Sequence, residues 1–312
     1  MFKKPYMFRD AVNDYMHWFR INGKTWLRTK QVIDAFIIKE FGHIKVEDLT
    51  TADIRNWMDR LVVTPARQKV SEASQQCVTD FNEEALRKRK VTINRYLAIV
   101  KAILNKAYQD GKVSSDIAWK RVKPFRKVDT PRVEYFELDE ITRFVKACPP
   151  DFRILVCGAL YTGCRYSELA RMKKRDFNPD AGHVYVQFSK SGKSRYVTLT
   201  AEGLDLFTKV CADKEANDLI FIKSDSTEWK HSHQARPFKT ALSAAGINKN
   251  ASFHSLRHTH ASQLAMQGVE LNIIARQLGH YDSRMAERHY AHLSPSYISE
   301  RIRSRFPSLG LS

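Results

Sequence analysis

The stretch FHSLRHTHASQLAMQGVELNIIARQLGHYDSRMAERHYAHL, residues 253–293, decides how the second half of the chain is interpreted. His254 and Arg257 stand three apart at the start of a helical pattern, so they share one face of the predicted helix. An imidazole and a guanidinium on one face suit an anion, most naturally a phosphate. Tyr290, ten residues after His280, is then a candidate nucleophile beside that phosphate.

The composition of the chain points to an anionic partner. Its 312 residues carry a formal net charge of +18 and a pI of about 9.7, and the basic residues are spread over the whole length. Nucleic acid is the leading partner for such a chain. Five cysteines without a CxxC pair predict reduced thiols, and no signal peptide or apolar membrane span is evident. We therefore expect a cytoplasmic protein of about two domains with no membrane partner.

The first half of the chain is predicted to be all-helical. Apolar residues repeat at helical spacing over 8–20, 25–40, 51–61 and 92–108. The polar stretch 64–90, which ends in the basic run RKRK, is interpreted as a loop or a weakly helical insertion. Residues 119–135 contain two prolines and many basic residues without periodicity, which is typical of a linker. The predicted organisation is a helical domain over 1–118, a basic linker over 119–135 and a second domain over 136–312.

The second half is predicted to mix helices with a small hairpin. Alternation from Val184 to Phe188 and a return strand from Tyr196 to Leu199 enclose a turn with Lys190 at its tip. A further short strand is expected over 219–222, and helices are expected over 202–212 and 232–245. Arg165 follows the turn at Gly163 and stands at the start of another helix.

Several motifs together resemble the tyrosine recombinases of the phage-integrase class, which include the lambda integrase and the Xer proteins. TGCRYSEL resembles the first arginine box of that family, SKSGKSR its hairpin lysine motif, and HSLRHTHAS its box with the His-x-x-Arg pair. LGH followed by RHYAHL resembles the last box with its tyrosine, and VTINRYLAIVKAIL is similar to a helix of the family's core-binding domain. The resemblance implies a SAM-like, all-α N-terminal core-binding domain. A mixed α+β, mainly helical catalytic domain with a small antiparallel sheet would follow it.

The chemistry of strand transfer agrees with this resemblance. Arg165 and Arg257 can hold the two non-bridging oxygens of a phosphorane-like state with paired N–H donors. Tyr290 would attack the phosphate and become a phosphotyrosine. A free tyrosine has a pKa of about 10, so a base must help it to lose its proton, and His254 is the candidate.

The resemblance also implies supporting roles. Lys190 would give a proton to the leaving 5′-hydroxyl, and His280 would donate a hydrogen bond to a phosphate oxygen. Glu168 is a candidate for orienting the site, with a solvated helix surface as the alternative. Basic residues of the helical half and of the predicted linker are expected to contact the DNA backbone: Lys90, Arg95, Arg121, Lys123 and Arg126.

The expected function is site-specific recombination through a 3′-phosphotyrosyl intermediate and a Holliday junction. Its expected role is integration or excision of a phage or other mobile element. The covalent ester conserves the phosphodiester energy, so no ATP, metal or other cofactor is expected. The expected partners are double-stranded DNA, a homotetramer that forms on DNA from monomers or weakly associated protomers, and a DNA-bending accessory protein. The expected location is the nucleoid of a bacterial cytoplasm.

Two features depart from the family pattern. Tyr290 lies ten residues after His280, where many members have nine, and Asp282 is expected to cap the Tyr290 helix. The first helix begins near Phe8, so we expect no arm-binding domain before it. The tail after Leu293 could pack on its own domain or on a neighbouring protomer, and the sequence leaves both possibilities open.

Four alternatives share some of the evidence. A Xer-like resolvase of chromosome dimers and a type IB topoisomerase-like enzyme would use the same residues. A zinc hydrolase is suggested by the many histidines, although no HExxH motif is present. A DNA-binding regulator without chemistry is suggested by the helix-turn-helix pattern of residues 271–290, but it leaves Arg165, Lys190 and the hairpin unexplained.

Overall fold

The chain divides into two units of structure, Met1–Thr130 and Pro131–Ser312. In the computed structural model, the described residues are 5–64, 82–128, 134–187, 194–280, 282–291 and 303. Within these ranges, no helix is both long enough and apolar enough to cross a membrane. Lys190 and most of the tail after Ala291 lie outside the described residues, and so do the expectations placed on them.

The first unit is helical throughout its described parts, as the sequence predicts. A π-helical turn, Ile33–Ile37, joins the second and third helices, and a 3₁₀ turn covers Val46–Asp48. The α-helices are α1 (Phe8–Asn22), α2 (Trp26–Val32), α3 (Ile38–Phe41), α4 (Thr51–Val63), α5 (Glu83–Gln109) and α6 (Ile117–Lys120).

Helix α5 begins at Glu83, well before the predicted start near Thr92. The side chain of Asn82 accepts the backbone N–H of Ala85 at 2.7 Å, which caps the first turn. Acidic residues in that turn complement the helix dipole. The basic run at 87–90 therefore lies on a helix, which agrees with the helical alternative for this stretch and not with the loop.

The first unit also contains residues that were assigned to the linker. Trp119 and Val122 are buried in the same apolar core as Trp57 of α4 and Leu97 of α5. The indole N–H of Trp119 donates to the side chain of Asn105 at 2.6 Å. The start of the predicted linker is thus folded onto the helical unit, because its few apolar side chains find a buried site there.

The second unit combines eight described helices with one small sheet. The helices are α7 (Leu138–Ala147), α8 (Pro150–Thr162), α9 (Tyr166–Leu169), α10 (Ala201–Cys211), α11 (Ala235–Ala244), α12 (Phe253–Met266), α13 (Leu271–Leu278) and α14 (Arg284–Tyr290). The strands are β1 (Phe177–Asn178), β2 (His183–Val186) and β3 (Arg195–Thr198), all antiparallel in the order β1-β2-β3. This confirms the predicted fold class of a helical domain followed by a mainly helical α+β domain.

The sheet matches the predicted hairpin but not every predicted strand. Val184 pairs with Val197, and both are buried, while Tyr185 pairs with Tyr196 on the other face. The short strand expected over 219–222 is absent. Only isolated bridges occur at Leu219 and Ile222, because the stretch contributes buried side chains to the core without a neighbouring strand to extend the ladder.

Two apolar clusters hold the elements that carry the candidate site. In the larger cluster, Leu155 and Ala159 of α8 pack with Leu256 of α12. The smaller cluster joins the last three helices and consists of Ala261, Ala265, Ile274, Ala275, Leu278, Ala286 and Tyr290. Most of its members are small, which allows α12 and α14 to approach each other closely.

Candidate active site

Arg165 begins helix α9 and is fixed there by Glu168. The backbone N–H of Arg165 donates to Oε2 of Glu168 at 2.9 Å, and its Nη1 donates to Oε1 at 2.8 Å. The side chain of Glu168 is only 2% exposed, whereas that of Arg165 is 22% exposed. The guanidinium of Arg165 is therefore oriented by a buried carboxylate but remains open to a ligand.

A second arginine, Arg195, shares the same carboxylate. Its Nη2 donates to Oε2 of Glu168 at 2.8 Å, and its Nε donates to the backbone carbonyl of Gln277 at 3.1 Å. Burial alone would raise the pKa of Glu168, but the hydrogen bonds from Arg195 and the charge of Arg165 bring it below its ordinary value. Glu168 is therefore ionised, and Arg195 links strand β3 to α9 through this carboxylate and to the end of α13 through Gln277.

Arg257 lies on α12 and is 2% exposed. Its Nη1 donates to the carbonyl of Gly163 at 2.8 Å and its Nη2 to the carbonyl of Leu278 at 2.6 Å. Gly163 has φ +64, and a Cβ there would lie 2.7 Å from His260 and 2.8 Å from Leu278, so only glycine fits this turn. The arginine is thus placed by backbone carbonyls at the ends of α8 and α13.

The charge of Arg257 is unfavourable in the absence of an anion. Burial, and then the neighbouring charges of Arg165 and Arg195, lower its pKa to about 10. Like charges at close range favour any ligand that neutralises them. The surroundings of Arg257 therefore suit a phosphate.

His280 follows the left-handed turn at Gly279, where φ is +71. Burial, and then the charges of Arg257 and Arg165, lower the pKa of His280 to about 4, so its ring is neutral. Its Nδ1 is buried and has no hydrogen-bond partner within the described ranges. A buried polar atom of this kind is normally satisfied, and a phosphate oxygen would satisfy it if Nδ1 carries the proton.

The candidate nucleophile, Tyr290, is 1% exposed, and its hydroxyl lies 2.8 Å from Nδ1 of His258. Burial raises the pKa of Tyr290 to about 12, although Arg257 acts in the opposite direction. Burial, and then the charges of His254 and His289, lower the pKa of His258 to about 3. The imidazole is therefore neutral, and in the tautomer with its proton on Nε2 the Nδ1 atom accepts this hydrogen bond from the phenol.

The predicted base, His254, lies one helical turn before His258. It is exposed, and its ring centroid is 4.8 Å from that of His258 in an edge-to-face arrangement. His258 was predicted only as one of the histidines that suggested zinc, at an i, i+4 spacing that places it on the same face as His254. Arg195, which lies within the quoted SKSGKSR motif, was not among the predicted site residues.

The structure brings most of the predicted site residues together. Contacts and charge interactions connect Arg165, Glu168, His254, Arg257, His280 and Tyr290, with His258 and Arg195 among them. Asp282 accepts the backbone N–H of Arg284 at 3.1 Å, while the N-cap of α14 is Ser283. Asp282 thus bonds the first residue of α14 from the position before the N-cap, and not from the N-cap itself as expected.

The predicted DNA-contacting residues lie in the first unit. Lys90 is half-buried on α5, with its Nζ 5.7 Å from the centroid of the Phe125 ring. The other four are exposed: Arg95, Arg121, Lys123 and Arg126. These four side chains are accessible to solvent, and their contact with DNA stays a prediction.

Known protein families match both units. Residues 134–296, more than half of the chain, match the phage integrase family, and residues 7–62 match the phage integrase N-terminal SAM-like domain. The chain belongs to the phage integrase family. It is therefore a tyrosine-type site-specific recombinase, an enzyme that breaks and rejoins DNA strands.

Individual members of the family show how far the similarity extends. The integrase of Salmonella phage P22 is 24% identical over 287 residues, which cover 86% of this chain and 72% of that protein. A tyrosine recombinase of Thermosipho africanus is 26% identical over 204 residues, covering 62% and 68%. The structure of a lambda integrase tetramer bound to a Holliday junction shares the fold, with a TM-score of 0.71, 17% identity, and coverage of 92% of this chain and 78% of that chain.

The histidines do not form a zinc site in the part of the chain that the structure describes. No group of three or more His, Cys, Asp or Glu side chains there is arranged to hold a metal ion. His258 instead contacts Tyr290, and His260 contacts the carbonyl of Leu160 at 2.7 Å. The alternative of a zinc hydrolase therefore has no structural support among these residues.

Proposed function

We propose that this phage integrase family member cleaves double-stranded DNA with Tyr290 and rejoins the strands in a new combination. The observation that carries the proposal is the position of the phenol. It lies beside a neutral imidazole, and Arg257, which acts on its pKa, is close to Arg165 and His280. A tyrosine close to an arginine cluster that can hold a phosphate is suited to attack on a phosphodiester.

The two arginines would stabilise the transition state. Arg165 is oriented by Glu168 and partly exposed, so its exposed N–H groups can reach a non-bridging oxygen. Arg257 is held by two carbonyls and is surrounded by positive charge that a phosphate would neutralise. Guanidinium groups fixed before the substrate arrives need little rearrangement as negative charge develops.

The remaining proton transfer concerns the leaving group. Attack of the phenolate oxygen on phosphorus forms a 3′-phosphotyrosyl bond, and the bond from phosphorus to the 5′-oxygen breaks. Lys190 is proposed to give that oxygen its proton, on the resemblance alone. The ester retains the energy of the original linkage, so the 5′-hydroxyl of a second strand can reverse the step without ATP or a metal ion.

DNA binding is proposed from the charge of the chain. The net charge is +18, and exposed basic residues of the first unit are available for phosphate contacts. If six to ten phosphates are contacted, affinity should fall roughly 10³–10⁵-fold between 50 and 200 mM salt. The tetrameric lambda integrase on a Holliday junction supports the proposal that protomers assemble on DNA as a homotetramer and are monomeric or weakly associated without it.

The biological role proposed is integration or excision of a phage or other mobile element, with Xer-like dimer resolution as the alternative. The phage P22 relative supports the first role. We also propose that the protein acts in a bacterial cytoplasm on the DNA of the nucleoid. A DNA-bending accessory protein would assist it there.

A recombination assay tests this function. Two plasmids would carry candidate sites from the DNA that flanks the gene and the matching target region. The account predicts recombinant plasmids with the purified chain and none with Tyr290→Phe, although both bind DNA. Recombination that survives in Tyr290→Phe would refute the proposal, and relaxation of supercoils without exchange would favour a topoisomerase-like enzyme.

A further inference from the structure

The hydrogen bond between Tyr290 and His258 gives this second histidine a direct contact with the reacting oxygen. We propose that His258 is a catalytic residue, the base that removes the phenol proton as Tyr290 attacks the phosphate. The inference rests on the proposed function, because it assigns a step of the same reaction. It replaces His254 in the role that the sequence suggested.

Helix packing places His258 at the phenol. His258, Ala261 and Ala265 follow one face of α12 at spacings of three and four, and the two alanines are fully buried. Ala286, one turn before Tyr290 on α14, is also fully buried. Small side chains on both helices let them approach, so that the long side chains beyond them meet at 2.8 Å.

His258 is surrounded by groups that favour its neutral form. Burial, and then the neighbouring charges, lower its pKa to about 3. The titratable and charged groups that face it from α12, from the turn after α13 and from α14 are His254, Arg257, His280, His289 and Tyr290. A neutral His258 can accept a hydrogen bond from the phenol, but it is a weak base in this state.

A bound phosphate would change that balance. Its negative charge, held by Arg257 and His280, would offset the positive charges that lower the pKa of His258 and move that pKa back towards its ordinary value of about 6.5. The same negative charge opposes ionisation of Tyr290, so the phenol proton leaves as the oxygen forms its bond to phosphorus. The base would therefore become effective only when DNA occupies the site.

The step balances in atoms and charge. The phenol proton moves to Nδ1 of His258, and the oxygen of Tyr290 uses the released electron pair to form the bond to phosphorus. The bond from phosphorus to the 5′-oxygen breaks, and that oxygen receives a proton from the acid of the proposed mechanism, Lys190. In the rejoining step, His258 returns its proton to the departing phenolate oxygen.

His258→Asn is the decisive substitution, because its amide oxygen can still accept the phenol hydrogen bond but cannot take up the proton. The measurement is the single-turnover rate of covalent complex formation on a nicked suicide duplex. His289→Asn is the matched control, since this ring lies 5.9 Å from that of His258 and 6.0 Å from that of Tyr290. We expect His258→Asn to slow the step about 100-fold and His289→Asn to slow it less than about 3-fold.

A second measurement separates proton removal from a structural role. Fluorotyrosine at position 290 has a more acidic phenol and needs less help from a base. We expect it to restore the rate of His258→Asn at least about 10-fold while changing the rate with His258 present less than about 3-fold. A restored rate also shows that the variant is folded.

The outcomes separate this inference from the proposed function. A rate of His258→Asn within about 3-fold of the unsubstituted chain, or a loss that fluorotyrosine does not restore, would overturn the role of His258 as base. In both cases Tyr290→Phe would still abolish the adduct. An adduct that persists in Tyr290→Phe would overturn the proposed function itself.

Discussion

Glu168 should be the most sensitive position of the arginine cluster. Its carboxylate is 2% exposed and accepts hydrogen bonds from Arg165 and Arg195. Glu168→Gln keeps the shape of the side chain but removes the charge and turns an N–H donor towards the guanidinium donors. The substitution therefore leaves the nearly buried charge of Arg195, 8% exposed, without its counter-charge.

The expected magnitude follows from this geometry. Removing one partner of a buried ion pair costs about 3–5 kcal/mol. Arg165 is partly exposed, so water replaces some of its lost interaction, and most of the cost comes from Arg195. We expect the free energy of unfolding of the second unit to fall by about 3 kcal/mol. For a unit of this size, that corresponds to a decrease in Tm of roughly 6–12 °C.

The assay is differential scanning calorimetry of the purified chain at pH 7, with Asp205→Asn as the control. Asp205 and Lys209 also form an ion pair at 2.6 Å, but their side chains are 62% and 72% exposed. Loss of such a pair should cost less than about 1 kcal/mol. If Glu168→Gln lowers Tm by no more than Asp205→Asn does, the carboxylate does not hold a buried arginine and the description of the cluster is wrong.

Three other substitutions test separate parts of the structure. Gly279→Ala should lower the free energy of unfolding more than Gly182→Ala does. Both glycines have positive φ, but only at Gly279 would a Cβ meet a side chain, that of Arg195 at 2.7 Å. Equal losses in urea titrations would contradict that packing. Burial lowers the pKa of His260 to about 4, so the unfolded chain binds this proton at a higher pH than the folded chain does. The free energy of unfolding should therefore fall by about 3 kcal/mol as the pH drops from about 6.5 to 4. His260→Asn should show a smaller fall when urea titrations are repeated over that pH range. Asn82→Ala should lower the free energy of unfolding of the first unit by about 1 kcal/mol through loss of the α5 cap, and no change would show that α5 does not depend on this cap.

The sequence predicted the parts of the site that lie within local motifs. His254 and Arg257 are related by helical spacing, and Arg165 follows a glycine turn, so neighbouring residues alone determine their local positions. The hairpin of β2 and β3 was equally predictable, since strict alternation at Val184 and Val186 marks one buried face. These features depend on few long-range contacts.

The parts that sequence reasoning missed depend on packing between distant elements. Which histidine reaches the phenol is decided by the approach of α12 to α14, and periodicity shows only that His254 and His258 share a face. Arg195 is functional in this account because Glu168 and the carbonyl of Gln277 converge on it from other elements. A sequence motif shows neither the approach of the two helices nor the groups that meet at Arg195.

The early start of α5 and the burial of Trp119 and Val122 were not predicted, for a related reason. The polar residues before Thr92 have weak amphipathic periodicity, but the Asn82 cap and the acidic first turn start α5 early. Trp119 and Val122 stand among basic residues and prolines, where two apolar side chains give no pattern. Their burial becomes visible only when the helical core that receives them is known.

The central claim is that Tyr290 is the nucleophile, and the most direct measurement is the site of covalent attachment. The chain would be incubated with a nicked suicide duplex from its own flanking DNA, digested, and analysed by mass spectrometry. Tyr166→Phe is the control, because the Tyr166 hydroxyl donates to the carbonyl of Lys230 and has no role in the proposed chemistry. The account predicts a nucleotide adduct on Tyr290 that persists in Tyr166→Phe and is lost in Tyr290→Phe. An adduct on another residue, or tight binding to a cognate site without any adduct, would contradict it.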